Sequence, residues 1–367
     1  MKIGILTVPF NNNYGGLLQA YALKTVLCDM GHDVVFLNRQ RNKIQSLKFK
    51  LYRLLVRLNL IEDYLEKRTK RLSENTDKFK QKYLSPITEP FYTTQEFSIV
   101  KTLGIDCYIV GSDQVWRYDY AEDSIDDYFF NILDGDLAPR MSYAASFGTD
   151  MMEYPEEKQK KIIDLLKQFK GISVRETSGR TLLNQYFDVP LEDVSVVMDP
   201  TMLLDASRYK ELFVEEKQNN DFLFTYILDN ALVNEQAIYN ICESLKYSRK
   251  DLKAQTGDVS KLNVIAPVEQ WLRSIYSSKA VITDSFHGTV FSILFNRPFV
   301  VVANPNRGIS RLKDLLSIFG LENHLVSKLD NDSIRIISQP VNWDGVNKII
   351  KEKSTFSLSF LNSMLNV

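Results

Sequence analysis

The chain has 367 residues, of which 44% are hydrophobic and 25% charged, and its formal net charge is −1 at pH 7. A chain of this length favours two domains, and the near-neutral charge gives no indication of a nucleic-acid partner. Cys28, Cys107 and Cys242 lie far apart and show neither zinc-site nor disulfide spacing. No apolar run is long enough to cross a bilayer, so we expect a protein of the reducing cytoplasm.

The first 37 residues have the pattern of a strand, a helix and a second parallel strand. Lys2–Val8 and Val34–Leu37 are short, apolar and β-branched, and residues 17–30 carry apolar side chains at helical spacing. We interpret the N-terminus as a strand rather than a signal peptide. The polar loop Pro9–Gly16 joins strand to helix, and its glycines favour either a tight turn or a close ligand approach. It lacks the G-x-G-x-x-G of dinucleotide-binding domains.

A helical insertion is predicted at about residues 39–82. Its segment 43–60 carries Lys and Arg among Leu, Phe and Tyr and contains no acidic residue. A basic amphipathic helix can lie on an anionic membrane surface, or it can cover a domain while its lysines extend into water. Both interpretations stay open, and the first would place a cytoplasmic protein at the inner face of the membrane.

Several further apolar strands end in polar residues within a predicted first domain, residues 1–200. They span residues 106–110, 140–145, 171–174 and 194–198, with helices at 155–169 and 177–186 between them. The pair Asp199-Pro200, after the last of these strands, is interpreted as the joint between the two domains. The residues that follow the other strands include Ser112, Asp113, Gln114, Trp116, Ser146 and Arg175. Ligands of open α/β sheets bind at the carboxyl ends of the strands, so we expect these loops to meet in a cleft.

A second α/β series is predicted for residues 201–345. Strands are expected at 222–228, 263–265, 280–283 and 299–302, with helices at 234–245, 268–277, 290–295 and 311–319. A terminal helical region is predicted at 343–364. We treat residues 346–367 as a separate C-terminal segment and expect it to pack back on the first domain. The fold class is therefore α/β, with two Rossmann-like domains facing a cleft and a helical insertion in the first.

His287 lies where one predicted strand of the second domain turns into a helix. Asp284 and Ser285 precede it as N-cap types, and Gly288 permits close approach. A helix N-terminus favours anions, because its free N–H groups and dipole point towards them. His287 is therefore interpreted as functional, with a solvated or capping role as the alternative. His32 and His324, the other two histidines, are interpreted as structural.

Taken together, six loop motifs resemble the polysaccharide pyruvyl transferase family. They are NYGGLLQAYAL at 13–23, VGSDQVW at 110–116, SYAASFG at 142–148, ISVRE at 172–176, DPTMLL at 199–204 and TDSFHGTVFSILFNRPF at 283–299. The resemblance implies a GT-B-like pair of domains. It also implies transfer of pyruvate from phosphoenolpyruvate onto a sugar of a surface polysaccharide or its precursor, forming a cyclic ketal. Exopolysaccharide biosynthesis would be the setting, with phosphoenolpyruvate as a substrate and no cofactor.

The chemistry that the resemblance implies suggests roles for individual residues. His287 would be the general acid, and Asp113 and Asp284 are candidate bases that could equally be caps or turn residues. The expected donor-binding residues are Arg175, Ser285, Gly288, Thr289 and Arg307, which stands twenty positions after the histidine. For Arg175, a salt bridge with Glu176 or a neighbour is the alternative. The expected acceptor or cleft residues are Asn13, Tyr14, Gly15, Gly16, Ser112, Gln114, Trp116 and Ser146.

Two other classes of protein fit the same two-domain pattern. One is a nucleotide-sugar glycosyltransferase of the GT-B type, and the other is a non-catalytic sugar-binding protein. Asp134-Gly135-Asp136 has the form of a metal-binding D-x-D, but its glycine favours a turn, and we predict no metal site. The sequence leaves open whether a sugar acceptor is a lipid-linked oligosaccharide.

Overall fold

The computed structural model describes residues 1–10, 12–40, 64–133, 136–215, 221–229, 234–252, 264–304 and 308–366. The basic segment 43–60, Arg307, and Asp134 with Gly135 lie outside these residues. From residue 64 the predicted insertion is helical, with an α-helix at Tyr64–Phe79 that continues into a short π-helix at Lys80–Leu84. Its first residue, Arg39, is not helical and forms an isolated β-bridge with Phe91.

The first sheet has six strands that are all parallel. They are β1 (Lys2–Leu6), β2 (Asp33–Leu37), β3 (Cys107–Asp113), β4 (Arg140–Ala145), β5 (Phe169–Val174) and β6 (Val194–Val196), in the order β2-β1-β3-β4-β5-β6. Strands covered on both faces read as continuous apolar runs. β3 illustrates this, because all seven of its residues are buried.

The second sheet has five parallel strands. They are β7 (Phe222–Tyr226), β8 (Ser248–Asp251), β9 (Ala280–Thr283), β10 (Phe299–Val302) and β11 (Leu325–Val326), in the order β11-β10-β9-β7-β8. The two sheets confirm the predicted α/β fold. The strand predicted at 263–265 is wrong in its described part, because Val264 and Ile265 lie in a loop. β8 was missed because this edge strand is polar along its whole length.

Helices cover the two sheets. In chain order they are α1 (Tyr14–Asp29), α2 (Tyr64–Phe79), α3 (Thr94–Phe97), α4 (Tyr118–Ala121), α5 (Glu156–Leu166), α6 (Thr177–Tyr186), α7 (Ala206–Lys210), α8 (Glu235–Leu245), α9 (Val268–Ser277), α10 (Phe286–Leu294), α11 (Ile309–Ile318), α12 (Asn331–Ser338) and α13 (Trp343–Leu365). α1 begins three residues before the predicted start, because the Asn13 side chain caps it by accepting a hydrogen bond from the Gly15 amide. Across the described residues, no helix combines the length and apolar character that a membrane span requires.

The halves of the chain touch through helices at its two ends. The Tyr14 hydroxyl at the start of α1 donates to the Ala266 carbonyl at 2.9 Å, and its ring stacks on Trp271 of α9. At the other end, α13 returns to the first sheet. Its Ser357 hydroxyl accepts a hydrogen bond from the Met198 amide at 3.0 Å, and its Met364 packs against Gly171 of β5.

Both sheets place their first strand between their second and third strands. β1 lies between β2 and β3, and β7 lies between β8 and β9. In a doubly wound sheet, the connections leave in opposite directions at this switch point and open a crevice at the carboxyl ends of the strands. The loops that follow β1, β3, β7 and β9 are therefore where each sheet is expected to bind ligands.

Candidate active site

A cavity of about 180 Å³ lies where the switch-point loops of both sheets meet. Its wall includes residues from the loops after β1, β3, β7 and β9, such as Asn13, Asp113, Leu228 and His287. The cavity is smaller than the roughly 300–1,000 Å³ of pockets for drug-sized ligands. It therefore suits a small substrate.

His287 is the second residue of α10, and its position is set by the turn before it. The Ser285 amide donates to the Thr283 hydroxyl at 3.0 Å, and the Ser285 hydroxyl accepts a hydrogen bond from the Gly288 amide at 3.2 Å. This cap directs the His287 side chain into the cavity wall, where Nε2 lies 3.6 Å from Asp199 Oδ2. The imidazole is 8% exposed, and the carboxylate is 1% exposed. The two side chains form a buried acid–base pair.

Gly15 of the first domain packs directly against the imidazole of His287. A β-carbon at position 15 would lie 2.1 Å from His287 Nδ1 and 2.4 Å from its Cγ. Contacts this short do not occur between real side chains, so one of the two groups would have to move. Glycine is required here by the close approach of the two domains.

Replacing Gly15 with alanine should displace His287 and reduce catalytic activity strongly, because a displacement of about 1 Å can cost about 100-fold in rate. Gly16→Ala is the matched control, since a β-carbon at position 16 would have its nearest neighbour 3.8 Å away. The measurement is the kcat of each variant together with its melting temperature. Equal activity of the two variants would show that the Gly15–His287 contact does not position the histidine.

Asp199, which the sequence indicated only as a domain joint, holds this site together. It follows β6 and accepts hydrogen bonds from the Thr201 amide at 3.0 Å and the Thr201 hydroxyl at 2.6 Å. Its other oxygen receives Arg175 Nη1 at 2.8 Å. Burial by itself would raise the pKa of Asp199, but His287, Arg175 and the Thr201 hydroxyl hold that pKa well below its ordinary range. The carboxylate is therefore ionised at neutral pH.

Arg175, at the end of β5, is enclosed by acidic side chains. Besides Asp199, its guanidinium lies 3.5 Å from an Asp113 oxygen and 3.6 Å from a Glu176 oxygen. It also stacks on Phe286, 4.3 Å from the ring centroid. The salt-bridge alternative raised for Arg175 is thus present in the structure. Direct contact of Arg175 with a donor stays a prediction, because the small cavity is lined by Arg311 rather than by Arg175.

The two candidate bases have different surroundings. Both line the cavity. The oxygens of Asp284 accept hydrogen bonds from the amides of Leu228 at 2.6 Å and Asp229 at 3.0 Å, so this side chain anchors the loop that follows β7. Asp113 has a left-handed backbone, with φ 70°, at the end of β3. Of the two residues, Asp113 is the better placed to act on a substrate, because backbone amides already occupy both Asp284 oxygens.

Arg311 was not identified from the sequence, yet it forms part of the cavity wall. It lies in α11, 7% exposed, with its guanidinium 5.8 Å from the Phe286 ring. Burial and the nearby charge of Arg175 lower the pKa of Arg311 to about 10, so it stays protonated at neutral pH. The Glu176 carboxyl interacts electrostatically with Arg311. Burial raises the pKa of this carboxyl despite the opposing effect of Arg175.

Three of the predicted donor-binding residues are described at the start of α10. Ser285 lines the cavity as the helix cap. Gly288 and Thr289 face elsewhere: Gly288 packs on Thr283 of β9, and the Thr289 hydroxyl donates to the Ser285 carbonyl at 3.0 Å. Their expected contact with a donor stays a prediction, and neither residue lines the small cavity. The helix begins at Phe286, four residues before the predicted start at 290.

The predicted acceptor residues divide into two groups. Asn13, Gly16 and Gln114 line the small cavity, and Gly15 touches His287. The others have internal partners instead: Tyr14 bonds to Ala266, the Ser112 hydroxyl donates to the Ala144 carbonyl, the Ser146 hydroxyl donates to Glu176, and Trp116 stacks on Phe129. Trp116 is fully buried, and its indole N–H donates to the Tyr128 carbonyl at 3.1 Å. The expectation that it lies in the cleft is wrong.

The remaining histidines have the surroundings expected of structural residues. A ring nitrogen of His324 lies 2.8 Å from the Phe299 carbonyl in the second domain, and His32 lies in the turn before β2. Across the described ranges, no group of three or more His, Cys, Asp or Glu side chains is arranged to hold a metal ion.

A model of the family described as "Polysaccharide pyruvyl transferase" matches residues 13–306, well over half of the chain. No match was found among curated protein sequences. Solved structures similar in fold include a UDP-N-acetylglucosamine 2-epimerase, with 10% identity, a TM-score of 0.56, and coverage of 100% of this chain and 95% of that one. The epimerase from Rickettsia bellii has 7% identity, a TM-score of 0.54, and coverage of 99% and 96%.

A third similar structure is the UDP-GlcNAc 2-epimerase from Neisseria meningitidis bound to UDP-GlcNAc, with 10% identity and a TM-score of 0.51. It covers 98% of this chain and 100% of that one. At such identities the likeness shows the fold alone. It confirms the GT-B-like arrangement of two α/β domains over the whole chain.

Proposed function

The chain belongs to the polysaccharide pyruvyl transferase family and is a transferase, and we propose that it moves pyruvate from phosphoenolpyruvate onto two hydroxyls of a sugar. The product is a cyclic ketal on a surface polysaccharide or its precursor. One observation carries the proposal: the buried His287–Asp199 pair lies at the wall of a small cavity, beside the N-terminus of α10 and Arg311. This combination offers a proton and fixed positive charge to a small anion.

The proposed reaction balances without a cofactor. One sugar hydroxyl adds to C2 of phosphoenolpyruvate, which is an enol phosphate, while a proton is delivered to its methylene carbon. The C2–O bond to phosphate then breaks, and the second hydroxyl closes the ring. Of the two hydroxyl protons, one replaces the proton given to the methylene carbon, and the other leaves with inorganic phosphate.

His287 is the proposed general acid, because a histidine can donate a proton near neutral pH. The ionised Asp199 stabilises the cationic imidazolium electrostatically across the 3.6 Å that separates them. Asp113 is the proposed base for the hydroxyl, since it lines the same cavity from the first domain. The acid and the base would thus come from different domains.

Arg311 is the proposed cation for the phosphate or carboxylate of phosphoenolpyruvate. Arg311 is the arginine found among the described residues that line the small cavity. Its planar guanidinium can bind either anionic group through two hydrogen bonds. The helix dipole at the start of α10 adds to this attraction. Arg307 and Arg175 remain proposed donor ligands that would support it.

Arg311→Gln should raise the dissociation constant for phosphoenolpyruvate on the order of 10- to 100-fold, because a lost charge-assisted contact costs about 1.5–3 kcal/mol. Lys313→Gln is the matched control, since Lys313 lies two residues away in α11 with its side chain exposed. Isothermal titration with phosphoenolpyruvate measures the effect in both variants. Unchanged affinity in a folded Arg311→Gln protein would exclude Arg311 as a donor ligand.

Incubation with phosphoenolpyruvate and a panel of nitrophenyl and lipid-linked sugars tests the function. We expect phosphate release that depends on the acceptor, and an acceptor heavier by pyruvate less one water. Nucleotide release from nucleotide sugars, without pyruvyl transfer, would instead identify a glycosyltransferase. We also propose a cytoplasmic site of action, supported by three cysteines that form no disulfide.

A further inference from the structure

A second cavity, of about 720 Å³, shares Phe286 and Arg311 with the small cavity. Its remaining wall comes from the end of β6, the start of α6, and the helices α11 and α13. Its volume falls in the range typical of ligand sites, roughly 300–1,000 Å³. None of the predicted acceptor residues lines it.

The wall of the second cavity contains buried polar atoms that lack hydrogen-bond partners within the described structure. They are Nε and Nη2 of Arg175 and Oε2 of Glu176. Both side chains are at most 2% exposed. Arg175 Nε and Glu176 Oε2 lie 3.6 Å apart, and Arg175 Nη2 lies 3.5 Å from Asp113 Oδ1, so these ion pairs are longer than hydrogen bonds. They leave hydrogen-bonding capacity that a ligand could use. The set contains donors and an acceptor, which suits hydroxyl groups because a hydroxyl can both donate and accept.

The rest of the wall combines apolar side chains with charged ones, which include Arg180 of α6 and Glu352 and Lys353 of α13. Met198 and Leu315 are buried, whereas Phe356 on α13 is 54% exposed and presents an aromatic surface. Lys353 lies one turn before Phe356 and is exposed. A sugar ring has the matching character, with apolar C–H faces and hydroxyls around its edge.

The proposed reaction needs room for two substrates, and the small cavity is about a quarter of the size of the second. The two cavities meet at the catalytic pair: Asp199 lines the second cavity, and His287, which lines the first, lies 3.6 Å from it. A ligand of the second cavity would therefore be a neighbour of the donor.

We propose that the second cavity binds the acceptor saccharide, with its ring against Phe286 and Phe356 and its hydroxyls on Arg175, Glu176 and Asp199. This assignment rests on the proposed function. It moves the acceptor from the loops of the first switch point to the space between β6, α11 and α13. It also assigns Arg175 to the acceptor in place of the donor, since Arg175 lines the second cavity and not the small one. The reacting hydroxyls then reach the donor past Phe286 and Arg311.

The test measures binding of p-nitrophenyl glycosides to the whole protein without phosphoenolpyruvate, by saturation-transfer NMR and titration. Phe356→Ala and Lys353→Ala should each raise the dissociation constant of a bound glycoside about tenfold, equivalent to about 1.4 kcal/mol. The matched controls are Tyr239→Ala, which is 57% exposed on α8, and Lys351→Ala on α13. Both controls should bind as the wild type does, and phosphoenolpyruvate affinity should be unchanged in all four variants.

The outcomes distinguish a failure of the proposed saccharide site from a failure of the proposed pyruvyl transfer. Glycoside binding that is weakened in both cavity variants supports the site even if no pyruvyl transfer is detected. Normal transfer with an unchanged KM for the acceptor in both variants would overturn the site while leaving the function intact. Failure of the wild type to bind any glycoside of the panel would also count against a saccharide in this cavity.

Discussion

Replacing His287 with glutamine should lower kcat by about 10²–10⁴-fold, the usual contribution of a general acid. Glutamine keeps a polar side chain of similar reach but has no proton to donate at neutral pH. A glutamine amide is planar and about the size of the imidazole that it replaces against Gly15, so we expect the fold and phosphoenolpyruvate binding to be retained. The measurements are the pyruvyl transfer rate and the rise in melting temperature with phosphoenolpyruvate.

His32→Gln is the control for this experiment, because His32 lies in a partly exposed turn remote in sequence from the cavity loops. It should leave kcat unchanged. Near-normal turnover of His287→Gln would remove this residue as the acid. A His287→Gln protein that failed to fold would instead favour the capping role that the sequence allowed.

Asp199→Asn should destabilise the protein by about 3–5 kcal/mol, the usual cost of removing one partner of a buried ion pair. The reason is that Asp199 is the carboxylate in shortest contact with Arg175, at 2.8 Å, and the one that lies beside His287. The variant also loses electrostatic support for the imidazolium, so its kcat should fall as well. Denaturant unfolding and the transfer assay measure the two effects.

The destabilisation should depend on pH in a defined direction. The pKa of Asp199 is lower in the folded protein than its ordinary value of about 3.9. Its contribution to the free energy of unfolding is therefore complete above that pH and is lost as the pH falls towards the folded-state pKa. The difference between wild type and Asp199→Asn should accordingly shrink in acid.

Asp193→Asn, an exposed acid just before β6, is the control for Asp199. It should change the free energy of unfolding by no more than about 0.5 kcal/mol, as surface substitutions usually do. If the two asparagine variants were equally stable, Asp199 would not be the group that compensates the buried charges.

Much of the architecture could be predicted because buried parallel strands have a simple pattern. β9 and β10 have the predicted bounds, since Ala-Val-Ile-Thr and Phe-Val-Val-Val are apolar and flanked by polar turns. The location of His287 between them followed from the same pattern. β8 did not, because Ser-Arg-Lys-Asp carries no apolar residue and is held in the sheet by backbone pairing with β7.

The partners of the site could not be predicted, because tertiary packing brings them together. Asp199 lies 88 positions before His287 in the sequence, and Arg311 comes from a helix beyond the next strand. The sequence around Asp199, Asp-Pro-Thr after a strand, predicts a capping turn. It does not indicate which side chains the Oδ2 atom of Asp199 contacts. Trp116 was predicted to lie in the cleft because it follows the polar end of a strand. Its indole is instead buried within the first domain.

The return of α13 to the first sheet means that the backbone crosses between the two halves twice, once after β6 and once along α13. The first turns of α13 lie beside residues 319–324, and its later turns reach β5. Two covalent crossings define a line, and the easiest relative motion of two bodies joined in this way is rotation about it. Such a rotation would change the gap between Gly15 and His287, which belong to opposite halves.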